Sequence, residues 1–276
     1  MENDRPATQA VNRRIALLID ADNVSHSKIA LMLAELSKYG TANIRRAYGD
    51  WGSTSLKGWK DKLHDFAIKP IQQFSYSMGK NATDIALVID AMELLYTQDL
   101  DAFCIASSDA DFTPLIMQLK ANGHEVYGFG ARKTPAPFVN ACTTFLYLES
   151  LDDPVDVEPN SVPSEPLRQA RKTARTGTRQ AAAAKPPKSD LARDEALVTI
   201  LRGAVDAAAW DDGWASMSAA GSAAKRQSSI DPRNYGVKNF AQLFEAVGLF
   251  EIFKDEGGQS FVADRNNTDR DPSPSR

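Results

Sequence analysis

An α/β fold on a parallel sheet is the expectation for the first half of this 276-residue chain. Short runs of unbroken apolar residues, 15–19 and 102–106, read as strands covered on both faces. They alternate with stretches of helical period, the pattern of right-handed βαβ units. Paired aspartates follow two of those strands directly: Asp20 and Asp22 after the first, Asp109 and Asp111 after the second. In such sheets ligands gather outside the carboxyl ends of the strands.

The elements follow in order. After the strand at 15–19, Ile29, Met32, Leu33 and Leu36 stripe a helix that starts at Ser27 and stops near Gly40. Residues 43–48 read as a second strand, 55–66 as a helix and 68–74 as a third strand. Thr83 caps a helix reaching residue 96, apolar nearly all round and so expected to be buried. Past the strand at 102–106, Phe112, Leu115, Ile116 and Leu119 stripe a helix that ends at Asn122-Gly123. Residues 125–129 and 144–148 add two strands and complete a domain over 14–150.

From 154 to 189 the chain turns to Pro, Ala, Ser and Thr with almost no large apolar side chains, which predicts a disordered linker. Its second half carries Arg168, Arg171, Lys172, Arg175, Arg179, Lys185 and Lys188 with no acidic residue. That basic run reads either as a solvated tether or as a sliding contact to phosphates. Periodicity returns over 190–264. Leu197, Val198, Leu201 and Val205 stripe one helix, 216–226 form an Ala-rich second, and Phe240, Leu243, Phe244 and Val247 stripe a third. Strands at 250–253 and 260–262, joined across Gly257-Gly258, complete the outline of a small winged helix. The polar tail, 265–276, is expected to be disordered.

Composition narrows the function. The formal charge of −4 gives no global attraction to a polyanion, so any such contact must be local. No apolar run reaches membrane-spanning length and residues 1–13 lack a signal-peptide core, so a cytoplasmic protein is expected. The two cysteines, Cys104 and Cys142, lie in apolar surroundings and read as reduced core residues. The three histidines share no ligand spacing with them, which argues against zinc.

Chemistry concentrates in the aspartates. Carboxylates gathered at strand ends repel one another unless a hard cation holds them, which suits Mg²⁺ or Mn²⁺ and phosphodiester chemistry. Asp20 is delivered to the rim by its strand, with Asn23 placed to orient it or a water. Asp109 and Asp111 open a helix after a turn of small residues, where a capping role competes with a metal role. Asp84 opens the intervening helix, and Asp90, about 240° further round it, is expected to pair with a basic neighbour instead. Tyr48 and Trp51 follow a strand and read as stacking groups or as core. Arg132 and Lys133, after another strand, read as phosphate contacts or as a solubilising pair.

Ile19-Asp20-Ala21-Asp22-Asn23, Thr83-Asp84-Ile85-Ala86-Leu87 and Ser108-Asp109-Ala110-Asp111-Phe112, with Val126-Tyr127-Gly128-Phe129-Gly130 and Phe145-Leu146-Tyr147-Leu148, resemble an NYN domain. That is the LabA-like branch of the PIN-like nucleases. The resemblance implies a PIN-like sheet and a metal-dependent endoribonuclease. Asp20, Asp84 and Asp109 would be the Mg²⁺ or Mn²⁺ ligands, Asn23 and Asp111 supporting catalytic residues, and Asp22 would stand behind them. The family often has Lys-Gly before the middle aspartate, whereas this chain reads Gly79-Lys80-Asn81-Ala82, a departure in which Lys80 is the residue expected to reach a substrate phosphate.

Asp231-Pro232-Arg233-Asn234-Tyr235-Gly236, with Asp212-Gly213-Trp214 and Phe240, resembles an OST-HTH/LOTUS domain. It implies a module for RNA or for a protein partner, with Lys225, Arg226, Arg233 and Lys238 as basic contacts. An endoribonuclease with an RNA-recruiting module is therefore the leading expectation. An RNA-binding or assembly adaptor that cuts slowly or not at all is the second. A haloacid-dehalogenase-type phosphatase attacking through Asp20 is a third, without the downstream lysine it needs. Self-association is left open.

Overall fold

A computed structural model of the chain describes residues 13–73, 82–151, 191–255 and 257–274. The expected linker, with its seven basic residues, Lys80 and Phe74 lie outside the described residues.

The first domain is a six-stranded, wholly parallel sheet in the order β3-β2-β1-β4-β5-β6. The strands are β1 (Arg14–Asp20), β2 (Thr41–Gly49), β3 (Lys69–Gln72), β4 (Ala102–Ala106), β5 (Glu125–Gly130) and β6 (Thr144–Tyr147). The helices are α1 (Ile29–Leu36), α2 (Trp59–Asp65), α3 (Ala82–Thr97), α4 (Thr113–Ala121) and α5 (Ala136–Ala141). Strand alternation assigns the layers. Ile15, Leu17 and Ile19 pack with Ile29, Met32, Leu36 and Trp59, under α1 and α2. Ala16 and Leu18 point the other way, into Leu87, Ala91, Ile116 and Phe138 from α3, α4 and α5. Each large side chain buried this way is worth about 1.5–3 kcal/mol. Both faces are therefore dry, which is why β1 and β4 are apolar without a break.

The chain runs from β1 outward to β3, then returns to the centre and runs from β4 outward to β6. The order reverses between β1 and β4, whose register sets Ile19 beside Ala106. Asp20 thus ends its strand next to Ser107, at the switch point where such sheets bind ligands.

The second domain packs α6 (Glu195–Asp206), α7 (Met217–Gln227) and α8 (Phe240–Val247) on a three-stranded antiparallel sheet. Its strands are β7 (Ala215–Ser216), β8 (Phe250–Lys254) and β9 (Ser260–Asp264), in the order β7-β9-β8. Asp194, Ser216 and Asn239 cap the three helices through their side chains. Gly248 closes α8 at φ +74°, where a side chain would be strained.

Three expectations need correction, and two short elements were not expected at all. The segment at 55–66 breaks into a 3-10 turn (Thr54–Leu56) and α2. The outer side of α3 is bare: Ile85, Ile89 and Tyr96 are 58%, 62% and 70% exposed, because the helix packs through Leu87, Ala91, Leu94 and Leu95, flanked by the half-buried Ala86, Val88 and Met92. Neither α5 nor β7 announces itself by periodicity; α5 spans six residues and β7 two. The described part of the tail is not loose. The Trp214 indole N–H donates to Asp271 O at 2.9 Å, and Arg270 lies over the Trp214 ring and pairs with Glu251.

Cys104 and Cys142 are buried free thiols, and burial pushes both above the ordinary range, Cys142 to about 12. Among the described residues no helix is long and apolar enough to cross a membrane.

Candidate functional site

Asp20 is 1% exposed, an expensive place for a carboxylate. Oδ2 accepts from Asn23 Nδ2 at 2.6 Å and from Ser107 Oγ at 2.8 Å. Oδ1 is buried with no hydrogen-bond partner among the described residues. Burial drives the Asp20 pKa up, and the bonds from Asn23, Ser107 and the Asn23 and Asp22 backbone pull it part of the way back.

Ser107 is the hinge of the site. Its N–H donates to Phe129 O, and its hydroxyl meets Asp20 on one side and accepts the Asp109 N–H at 3.1 Å on the other. Ser108 Oγ accepts from Ala131 N–H at 2.8 Å, so both serines tie the end of β4 to that of β5. Asp109 then caps a 3-10 turn (Ala110–Phe112) by accepting the Asp111 N–H at 2.9 Å. The capping role read from sequence is real, and it leaves the other Asp109 oxygen uncommitted to that turn. Sequence reasoning missed Ser107. Its only signal was a small polar residue directly after a buried strand.

Asp84, in the first turn of α3, is pushed up to about 6. Burial is the largest cause, followed by the charges of Asp20, Asp109, Asp111 and Asp22. Asp84 therefore feels four carboxylates from the two other segments that form the rim. Asp22 is raised as well, by burial and then by Asp20, while a hydrogen bond with Thr83 opposes the rise. That contact joins the end of β1 to the start of α3. Asp111 is exposed and shares a cleft of about 200 Å³ with Asp84, Ile85, Val88, Ile89 and Phe112.

The donors suit a hard divalent cation: all are oxygens, one is a buried oxygen without a partner, and their mutual repulsion is uncompensated. Yet among the described residues no three His, Cys, Asp or Glu side chains are arranged to hold a metal ion. Asp20, Asp84 and Asp109 share a rim without being closed into a coordination set.

The outer candidates divide. Tyr48 is fully buried and donates its hydroxyl to Asp90, which also pairs with Arg46; it cannot stack a base. Asp90 thus has the basic partner expected of it. The half-buried Trp51 donates its indole N–H to Ile71 O at 3.0 Å and packs edge-on against Trp59, so it braces the sheet. Arg132 is exposed, its guanidinium 5.8 Å from the Tyr147 ring, and Lys133 is exposed beside it. Lys225, Arg226 and Lys238 are exposed on the second domain.

Arg233 is not open to RNA. It forks onto Asp231 at 2.8 and 2.9 Å and reaches Glu35, in the first domain, at 2.6 Å. Those two carboxylates raise its pKa further. A second domain carrying its own recognition turn hid this, since Glu35 is silent in the sequence.

Residues 14–149 match the family model described as the NYN domain, and residues 192–262 match that described as the OST-HTH/LOTUS domain. The chain is 31% identical over 122 residues to an uncharacterized protein of Methanocaldococcus jannaschii, covering 43% of this chain and 48% of that protein. It thus spans about half the length of the curated relative it matches. Among solved structures, a protein of unknown function from Vibrio parahaemolyticus is similar at 17% identity and a TM-score of 0.42, covering 53% of this chain and 96% of that one.

Proposed function

We propose, for a chain whose residues 14–149 are an NYN domain and whose residues 192–262 are an OST-HTH/LOTUS domain, that it is a metal-dependent endoribonuclease with an RNA-binding module. NYN domains are a PIN-like nuclease family, and OST-HTH domains are RNA-binding modules. The observation that carries the reading is the rim itself: Asp84, raised by burial and then by four neighbouring carboxylates, beside the buried, unpartnered oxygen of Asp20.

Asp20, Asp84 and Asp109 would hold Mg²⁺ or Mn²⁺. When bound, the cation neutralises the rim for an approaching phosphodiester and lowers the pKa of a water. The chain's own residues do the rest. Asn23 and Ser107 fix the Asp20 carboxylate through Oδ2 and leave Oδ1 free. The Asp109 cap fixes the turn that carries Asp111, which is exposed and placed to orient a water. Arg132 and Lys133 lie in the loop after β5 and meet the phosphates that flank the cut. The open arrangement of the carboxylates favours a second reading, an RNA-binding adaptor that retains the rim but cuts slowly.

Labelled structured and single-stranded RNAs, incubated with Mn²⁺, Mg²⁺ or EDTA, separate the two. Cleavage should require the cation. Asp109→Asn should lower it by at least the roughly 100-fold that loss of an outer metal partner costs. Cutting by the variant at the unaltered rate would assign the activity elsewhere, and binding without any cutting would leave the adaptor.

A further inference from the structure

The second domain closes the first. β6 is an edge strand, and an uncovered edge exposes backbone groups in search of partners. Asn234 supplies them: Oδ1 accepts from Tyr147 N–H at 3.1 Å, and Nδ2 donates to Phe145 O at 2.8 Å, as a seventh strand would. The Ser229 hydroxyl donates to Val139 O, and Arg233 spans from Asp231 to Glu35.

Beside this joint lies a cleft of about 560 Å³ with walls from both domains. Glu35, Lys38 and Ser150 come from the first, and Lys225, Lys238 and Phe240 from the second. The carboxylates in it are already met, Glu35 by Lys38 and Arg233 and Asp231 by Arg233. Among the described residues neither Lys225 nor Lys238 has an ion-pair partner, so the surplus charge is positive. The Lys225 ammonium stands 5.8 Å from the Phe240 ring centroid, a cation beside an aromatic face. Two polar atoms have bonds to spare: Glu35, 5% exposed, has Oε1 without a partner, and so has the buried Ser150 Oγ.

We propose that this interdomain cleft seats one nucleotide of an unpaired RNA strand, its phosphate against Lys225 and Lys238 and its base against Phe240. The inference rests on the RNA reading above and assigns that reading a place. Cations in excess of the cleft's already paired carboxylates select a phosphate. An aromatic wall selects a base, and does so without demanding a sequence. A recess of this volume takes a single nucleotide, and a base held in a duplex stack cannot turn onto its aromatic wall.

The test is fluorescence anisotropy with the full chain, a short labelled single-stranded RNA and its duplex, over a range of salt. The single strand should bind more tightly than the duplex. Lys225→Glu with Lys238→Glu should weaken it about 10- to 100-fold and reduce the salt slope by about two. Ser150→Trp fills the cleft from the first domain without touching a cation and should weaken it too. Lys120→Glu, the same change of charge on α4 far from the cleft, should do little. Retained affinity in Ser150→Trp, or equal binding of the duplex, overturns the proposal while the RNA reading stands. No binding by the unaltered chain removes both. Because the lysine variants alter only exposed side chains, they decide the matter even if Ser150→Trp folds poorly.

Discussion

At the scale of single residues, Asp84 shows how the rim is tensioned. With its pKa pushed up to about 6, it binds a proton more tightly folded than unfolded. Protonated Asp84 therefore stabilises the fold fully below about pH 4, and that contribution disappears as pH rises through about 6. Solvent reaches the group, so the strain of its ionised form at neutral pH is on the order of 1 kcal/mol after screening. Asp84→Asn should raise the stability of the metal-free protein at neutral pH by about that much. It should also flatten the pH dependence between about 4 and 6, read by urea denaturation. A variant that is less stable at neutral pH would show that the rim is not under repulsion. The paired aspartates at 20/22 and 109/111 were legible because each pair comes just after an unbroken apolar run, where a charge can only mark the strand's exit, and Asp84 because it opens a helix behind a capping threonine. Tyr48 and Trp51 were not, because a strand covered on both faces hides an aromatic as readily at its end as at its middle. A side chain's neighbours in sequence do not say which of two dry layers receives it.

Among elements, the decisive contact is between the ends of β4 and β5. A Cβ built on Gly130 would stand 2.6 Å from Ser107 O and 2.6 Å from Thr134 Oγ1, closer than atoms tolerate. Gly130→Ala must therefore push the turn that positions both Asp20 and Asp109. It should cost about 1–3 kcal/mol of stability, as overpacking does, and lower RNA cleavage by more than that loss of folded protein explains. Melting curves alongside cleavage rates would separate the two effects, and an unimpaired rate in a folded variant would show that the turn is not what aligns the carboxylates. The strands of the sheet were readable to within about two residues, most sharply at the central β1 and β4, because a parallel strand covered on both faces needs apolar residues throughout. α3 departs from expectation for the opposite reason: apolar residues all round a helix say nothing about which side is covered, and Ile85, Ile89 and Tyr96 stay mostly exposed. α5 follows Pro135 and is too short to reveal a period.

For the molecule as a whole, the joint between the domains converts two modules into one body. Removing one partner from a buried ion pair commonly costs 3–5 kcal/mol, and Arg233 is half-buried between two carboxylates. A protease site placed within residues 152–190 and then cut should leave two fragments that still travel together on size exclusion. Arg233→Ala combined with Asn234→Ala should let them part. Separation of the cut but otherwise unaltered protein would mean that only the covalent connection holds the domains. This arrangement was invisible in the sequence because Glu35 and Arg233 belong to different domains, and the turn at Pro232–Tyr235 looks the same whether it faces a nucleic acid or an acidic helix.

The burial of both sulfur atoms has a practical outcome. Cys104 and Cys142 are the only thiols in the chain, and both sit in the first domain, one in each of the two layers that cover its sheet. A slow alkylating reagent can reach them only when that half opens. The natural protein thus carries its own unfolding clock, one that ticks for the aspartate-bearing half and stays silent for the other.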